Sequence, residues 1–78
     1  SLNKRLSDIP LLVEHFLKDI AKDSENELKT MDKDAINQLK EYDWSGNVRE
    51  LRNVVERLII LSDNKKITKK DVIKYSNK

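Results

Sequence analysis

Residues 43–51 read Asp-Trp-Ser-Gly-Asn-Val-Arg-Glu-Leu and hold the only Trp and the only Gly of the 78-residue chain. Gly46 can adopt backbone conformations that other residues avoid, which predicts a sharp turn after the preceding helix. Asn47 is a preferred N-cap residue, and Glu50 follows three positions later, where it can complete a capping box. The stretch therefore predicts a helix that begins at Val48.

This helix start places Arg49 in the first turn, where backbone N–H groups and the positive end of the helix dipole attract anions. An Arg guanidinium also presents a fork of donors that matches a phosphate group. The chemistry leaves two interpretations open. Arg49 binds a phosphate, or it is a surface residue on a well-capped helix.

The spacing of apolar residues predicts four helices joined by short loops, which is an all-α fold and a small four-helix bundle. Asp8 is the expected cap of the first helix, and Pro10 is tolerated in its opening turn. The second helix is expected after Asp32, the third over residues 48–61, and the fourth from Thr68, where Asp71 completes a capping box. The expected core residues of the first and third helices are Ile9, Leu12, Val13, Phe16, Leu17, Ile20, Val48, Leu51, Val54, Val55 and Leu58.

The loops and helix ends carry further expectations. Residues 22–30 are polar and predict a loop, although their Glu and Lys content could prolong the first helix. Met31 and Ile67 are placed to form hydrophobic staples with Ile36 and Val72, respectively. No alternating pattern predicts a strand.

Several apolar and aromatic side chains have two interpretations. Trp44, together with Tyr42, can close the end of the core, or Trp44 can stack on a nucleotide base. The continuous apolar run over residues 58–61 indicates that part of it is buried against another domain. His15 lies off the apolar stripe and is expected to face solvent or a partner. Val72, Ile73 and Tyr75 are the expected contacts of the fourth helix.

Composition excludes several functional classes. The chain has no Cys and a single His, so neither a disulfide nor a site built from several His or Cys ligands can form. A net charge of +2, with acidic and basic residues interleaved, does not argue for nucleic-acid binding. The apolar runs are too short for a membrane span. The Gly-rich loop with Lys and Ser or Thr that cradles ATP phosphates does not occur, so the chain alone is not expected to be an enzyme.

The quoted stretch, continued by Arg52-Asn53-Val54-Val55-Glu56-Arg57, resembles the sensor II region of sigma-54-dependent AAA+ transcriptional activators, the bacterial enhancer-binding proteins. Residues 5–12, Arg-Leu-Ser-Asp-Ile-Pro-Leu-Leu, resemble the segment that opens the same subdomain. The resemblance spans about residues 2–75, and residues 53–61 are most similar to the response regulators of nitrogen assimilation. Ser45 departs from the usual Pro of the family, and Asn3 from a frequent Arg.

The resemblance implies that residues 1–78 are the C-terminal helical lid of a larger ATPase, over a nucleotide held by an α/β subdomain outside this chain. Arg49 matches the sensor II arginine, which contacts the γ-phosphate of ATP, while Mg²⁺ is bound by the α/β subdomain. Asn47 and Val48 are candidates for the nucleotide edge. Ile9 matches a position beside the adenine, but a plain core role fits it equally well.

The partners that the resemblance implies are the α/β subdomain, neighbouring protomers of a hexameric ring, and sigma-54 RNA polymerase. DNA is expected to bind through a separate C-terminal domain, and the location is expected to be the cytoplasm. Two alternatives stay open: a helix-turn-helix that binds DNA, and an interaction bundle that is independent of nucleotide.

Overall fold

The computed structural model of the chain describes residues 6–24, 28–44 and 48–76. A 3-10 turn, Leu6–Asp8, leads directly into helix α1, Ile9–Ser24. The elements that follow are strand β1 (Thr30–Met31), helix α2 (Lys33–Lys40), helix α3 (Val48–Leu61), strand β2 (Lys66–Ile67) and helix α4 (Lys69–Tyr75). The four predicted helices are thus confirmed, and α3 has the predicted bounds.

The helices pack in two pairs, α1 against α3 and α2 against α4. The core between them is aliphatic apart from Phe16 and Trp44. Its buried residues are Ile9, Val13, Phe16, Leu17, Ile20, Met31, Ala35, Leu39, Trp44, Leu51, Val54, Val55, Leu58, Ile59, Ile67 and Val72. Leu12, Ile36, Tyr42 and Tyr75 are partly buried against them. The predicted apolar stripes therefore form the core, because residues three and four apart share one helix face.

The predicted N-caps of α2 and α4 are present. Asp32 has extended backbone angles, and its carboxylate accepts a hydrogen bond of 2.8 Å from the Ala35 amide. At α4, the Thr68 hydroxyl accepts from the Asp71 amide and the Asp71 carboxylate accepts from the Thr68 amide, at 3.3 and 3.0 Å. This reciprocal pair is the predicted capping box.

The C-terminal ends of three helices are satisfied by side chains from elsewhere in the chain. The Trp44 indole donates a 2.7 Å hydrogen bond to the Leu39 carbonyl of α2. Lys29 donates to the Ile59 carbonyl at the end of α3, also at 2.7 Å. At the end of α4, Arg57 donates to the Ser76 carbonyl at 2.8 Å. Terminal helix carbonyls have no partner within their own helix, so these donors stabilise the ends.

The parallel pair of β1 and β2 was not predicted, so the expectation of a chain without strands was wrong in this detail. The pairing aligns Thr30 with Lys66 and Met31 with Ile67. Hydrogen bonds from the Thr30 amide to the Lys65 carbonyl and from the Asp32 amide to the Ile67 carbonyl extend it, at 2.9 and 3.1 Å. Strands of two residues are too short to produce an alternating sequence pattern.

Other boundaries also differ from the prediction. α1 continues through residues 22–24, which were assigned to a loop, so the alternative that this polar segment prolongs the helix is correct at its start. Asp8 is the last residue of a 3-10 turn and directly precedes α1, at the position predicted for the cap of this helix. The predicted turn at Ser45 and Gly46 and the predicted N-cap Asn47 lie outside the described residues.

Two predicted core contacts are wrong. Val48 is 42% exposed and Ile73 is 57% exposed. Val48 is the first residue of α3, and on this face of the helix the buried residues begin with Leu51. Ile73 follows Val72, which is the inward-facing residue of the short helix α4. Adjacent residues on a helix point about 100° apart, and Ile73 lies outside the face of α4 that Val72 turns toward the core.

Candidate functional site

The first turn of α3 carries the predicted phosphate-binding residue. Arg49 is exposed, as is Val48 beside it. The core holds this turn in position, since Leu51, Val54 and Val55 of the same helix are buried and α3 packs against α1. The structure therefore presents an Arg side chain at the N-terminal end of a 14-residue helix that is anchored in the core. This is a suitable place for an anion.

The two later arginines of α3 make structural contacts. Arg52 approaches Asp19 of α1 at 3.6 Å and Glu56 of its own helix at 3.4 Å. Arg57 is held by its hydrogen bond to the Ser76 carbonyl. One arginine thus connects α3 to α1, and the other connects α3 to the end of α4.

The remaining site candidates divide between two places. Val48 adjoins Arg49 at the exposed start of α3, whereas Asn47 lies outside the described residues. Ile9 is fully buried in the core, near the start of α1. Its burial agrees with the plain core interpretation. A contact between Ile9 and an adenine stays a prediction and would require residues around Ile9 to move.

Comparison with protein families identifies this helical arrangement. Residues 3–78 match the family model of the AAA+ ATPase lid domain. The chain belongs to this family. The resemblance inferred from residues 5–12 and 43–57 is therefore confirmed, and so is the four-helix lid architecture.

Individual relatives agree with this assignment. The lid domain is 39% identical over 72 residues to the transcriptional regulatory protein ZraR of Salmonella typhimurium, which covers 92% of this chain and 16% of that protein. It is 44% identical over 62 residues to a putative response regulator NtrX-like of Rickettsia conorii, which covers 80% of this chain and 13% of the relative.

Solved structures give the same result. NtrX from Brucella abortus in complex with ATP superposes with a TM-score of 0.80 at 40% identity, over 91% of this chain and 17% of that one. The expected similarity to nitrogen-assimilation regulators is thus confirmed. The lid domain spans 13–17% of the length of these relatives.

Trp44 belongs to the core of the lid domain. Its ring is 0% exposed, and its indole N–H is used by the Leu39 carbonyl. Tyr42 packs edge-on against it, with ring centroids 6.4 Å apart. A fully buried ring has no free face for a nucleotide base, so the core interpretation is correct.

Lys29 is a structural residue that the sequence did not reveal. Its ammonium group lies 2.7 Å from the carbonyl oxygens of Ile59 and Ser62, and 2.9 Å from the Ser62 hydroxyl. It lies in a segment read as a polar loop. The only signal available was a Lys two residues before the apolar Met31, and that pattern does not reveal a partner 30 positions away.

Other chemistry finds little support in the described part of the lid domain. His15 is exposed and lies at a tilt against Phe16, with ring centroids 5.7 Å apart. Among the described residues, no cluster of three His, Asp or Glu side chains is placed to hold a metal ion. Within those same ranges, no helix combines the length and apolar composition of a membrane span.

Proposed function

We propose that this chain is the nucleotide-sensing lid of a sigma-54-dependent AAA+ transcriptional activator, and that Arg49 is its sensor II arginine. The observation that carries the proposal is the exposed Arg49 in the first turn of α3, in a chain that belongs to the AAA+ lid family. An anchored helix with an exposed N-terminal Arg can transmit a local contact to the whole bundle, because α3 packs against both α1 and α4.

The residues at this end fit a nucleotide phosphate. Arg49 would hold the γ-phosphate of ATP through its guanidinium fork, while Asn47 and Val48 would line the nucleotide edge. The ATP complex of the Brucella relative supports this choice of ligand. Mg²⁺ would be bound by the α/β subdomain, which also supplies the phosphate-binding loop. Residues 1–78 would thus form one subdomain that does not hydrolyse ATP alone.

Arg49 would act by making the lid orientation depend on the γ-phosphate. A charge-assisted contact that exists in only one nucleotide state favours one of two orientations of a hinged domain. The partners of such a lid are the α/β subdomain of the same chain and neighbouring protomers of a hexameric ring. Motions of the lid and these partners would remodel sigma-54 RNA polymerase in the bacterial cytoplasm. DNA would be bound by a separate C-terminal domain.

The described contacts support the lid over the DNA-binding alternative. A recognition helix needs several side chains free to reach base edges. On α3, the inner face is buried and Arg52 and Arg57 are held by contacts within the chain. Measuring DNA affinity against salt separates the two functions, because phosphate contacts produce a steep salt dependence.

The decisive experiment compares three alanine variants of the full-length protein. Arg49→Ala should leave the lid folded and reduce ATP turnover, or uncouple turnover from promoter-dependent transcription. Arg49→Lys should restore activity only in part, because Lys provides the charge without the planar fork. ATPase activity and transcription are measured together, with circular dichroism as the folding control.

Arg52→Ala and Arg57→Ala are the matched controls on the same helix. Both should lose contacts within the lid and retain more nucleotide-dependent activity than Arg49→Ala. The proposal would be rejected by wild-type activity in Arg49→Ala together with loss of activity in Arg57→Ala. That result would show that Arg49 is the wrong arginine for the sensor role.

A further inference from the structure

The segment that contains β2 and α4 carries more positive charge than the chain as a whole. Residues 63–76 contain five Lys and two Asp, a net charge of +3, whereas the whole chain has a net charge of +2. The other residues together are therefore slightly acidic, with a net charge of −1. All five of these Lys residues are exposed. Such a local excess of one sign is typical of a surface that attracts a partner of the opposite charge.

Four exposed residues of this segment share the outer side of α4. Val72 is fully buried and marks the side of the helix that faces the core. Because successive residues on a helix are about 100° apart, Lys70 and Lys74 lie opposite Val72, and Lys69 and Ile73 lie beside them on one flank. We call Lys69, Lys70, Ile73 and Lys74 the basic face.

The charges of the basic face are not neutralised within the described part of the lid. The ion pairs among the described residues lie on α1 and α3, and none of them includes Lys69, Lys70 or Lys74. Asp71, the one carboxylate of α4, is engaged in the capping box of that helix. Lys74 lies over the ring of Tyr75, with 5.2 Å between its ammonium nitrogen and the ring centroid. The ammonium groups of this face are therefore available to carboxylates of a partner.

Ile73 determines which kind of anionic partner fits the basic face. It is 57% exposed, although it is a large aliphatic residue, and it lies among three Lys residues. An acidic protein segment can place carboxylates against the Lys side chains and cover Ile73 with an apolar side chain of its own. The phosphate backbone of DNA supplies the charge without such an apolar group. The face also has no Arg, the side chain whose planar fork matches a phosphate.

We propose that the basic face binds an acidic segment of another protein, with Asp or Glu side chains against Lys70 and Lys74 and an apolar side chain against Ile73. This interaction goes beyond the proposed function, since it requires neither a nucleotide nor Arg49. A face of four residues is small, so the complex should be transient. Its affinity should fall as salt is added, because the charges are exposed to solvent.

Peptide binding to the full-length protein tests the basic face. The probe is a short synthetic peptide with Glu and Leu on one helical face, and its Kd is measured by fluorescence anisotropy at low and at physiological salt. The test variant combines Lys70→Gln with Lys74→Gln. The matched control combines Lys18→Gln with Lys22→Gln, because these two Lys residues of α1 are also exposed and have the same spacing.

The test variant should bind the peptide about tenfold more weakly than the wild-type protein, because two exposed ion pairs are lost. The control variant should stay within about twofold of the wild-type Kd, since it removes the same charge at another place. Melting curves identify any loss of folding, and ATP turnover should be unchanged in both variants. Absence of peptide binding to the wild-type protein, or equal weakening in the two variants, would overturn the proposal.

Ile73→Ser tests the apolar part of the contact. It should weaken binding of the peptide about fivefold and leave unchanged the binding of a second peptide in which Ser replaces Leu. Equal effects on the two peptides would reject the apolar contact.

A duplex DNA of random sequence is the third probe. If the test variant weakens DNA binding and leaves peptide binding unchanged, the basic face is a DNA contact and the proposal is wrong. The ATPase assay of Arg49→Ala does not depend on these binding measurements, so failure of one proposal is distinguishable from failure of the other.

Discussion

In this lid domain, carbonyl groups at the C-terminal ends of three helices accept hydrogen bonds, each from one side chain. The chain has one Gly, and glycine is the residue that most often ends a helix by accepting a left-handed conformation. Trp44, Lys29 and Arg57 instead reach the terminal carbonyls of α2, α3 and α4. Each of the three combines a polar head with a long or broad apolar part. Each therefore provides packing and a hydrogen bond at the same place.

Trp44 is expected to contribute more to stability than any other single side chain in the core. Trp44→Ala should lower the free energy of unfolding of residues 1–78 by about 3–5 kcal/mol, which is large for so small a domain. Trp44→Phe should cost less, because it keeps an aromatic ring in the core, although it loses part of the indole and the hydrogen bond to the Leu39 carbonyl. Urea denaturation measures both variants.

The fluorescence of the native chain provides the control for this experiment. The emission of the fully buried Trp44 should be blue-shifted and should move to longer wavelength on unfolding. A near-normal melting temperature for Trp44→Ala would contradict the role of Trp44 as a core anchor.

At the scale of elements, one link joins the segment before α2 to the segment after α3. Lys29 directly precedes β1 in the sequence. Its hydrogen bonds to Ile59 and Ser62 are therefore next to the pairing of β1 with β2. Together they attach the start of α2 to the connection between α3 and α4. The position of α2 against α4 thus depends on contacts between residues more than 30 positions apart.

Lys29→Met tests this link. Methionine keeps the length of the side chain and removes the ammonium group that donates three hydrogen bonds at the end of α3. The free energy of unfolding should fall by about 1–3 kcal/mol, because partly buried carbonyls lose a charged donor.

Lys18→Met is the matched control for that substitution. Lys18 is exposed, and its ion pair with Glu14 spans 3.9 Å. Exposed pairs contribute about 0–1 kcal/mol, so the control should be nearly neutral. Equal effects of the two substitutions would show that Lys29 acts only as a surface residue.

At the scale of the whole molecule, the lid is a self-contained core of four helices. Its radius of gyration is 11.3 Å, close to the roughly 11.5 Å expected for a folded chain of this length. The buried residues come from all four helices and both strands. A core that draws on every element can fold without a partner.

Residues 1–78 are therefore expected to fold alone, as a helical monomer or weak dimer without ATPase activity. Circular dichroism should give a predominantly helical spectrum with a cooperative thermal transition. The ATP assay should give background rates, because residues 1–78 contain no Gly-rich loop with Lys and Ser or Thr to cradle ATP phosphates. A predominantly β spectrum would contradict the fold, and metal-dependent ATP turnover above background would contradict the assignment of catalysis to the rest of the protein.

The sequence by itself determined the features that depend on neighbours three or four residues apart. The caps at Asp32 and Thr68 and the bounds of α3 were all predicted, because capping and helical periodicity are local interactions. The family was also decided at this level, by residues 43–57 and 5–12. The candidate residue Arg49 follows from the same local pattern.

Only the tertiary structure decided which distant residues meet. The pairing of Thr30 with Lys66 and the hydrogen bonds of Lys29 and Arg57 join segments 19 to 36 positions apart, and nothing near these residues in the sequence specifies their partners. The exposure of Ile60 and Leu61 was likewise decided by packing. Four consecutive apolar residues on a helix point in four directions, and the position of α1 and α4 determines which of them are covered.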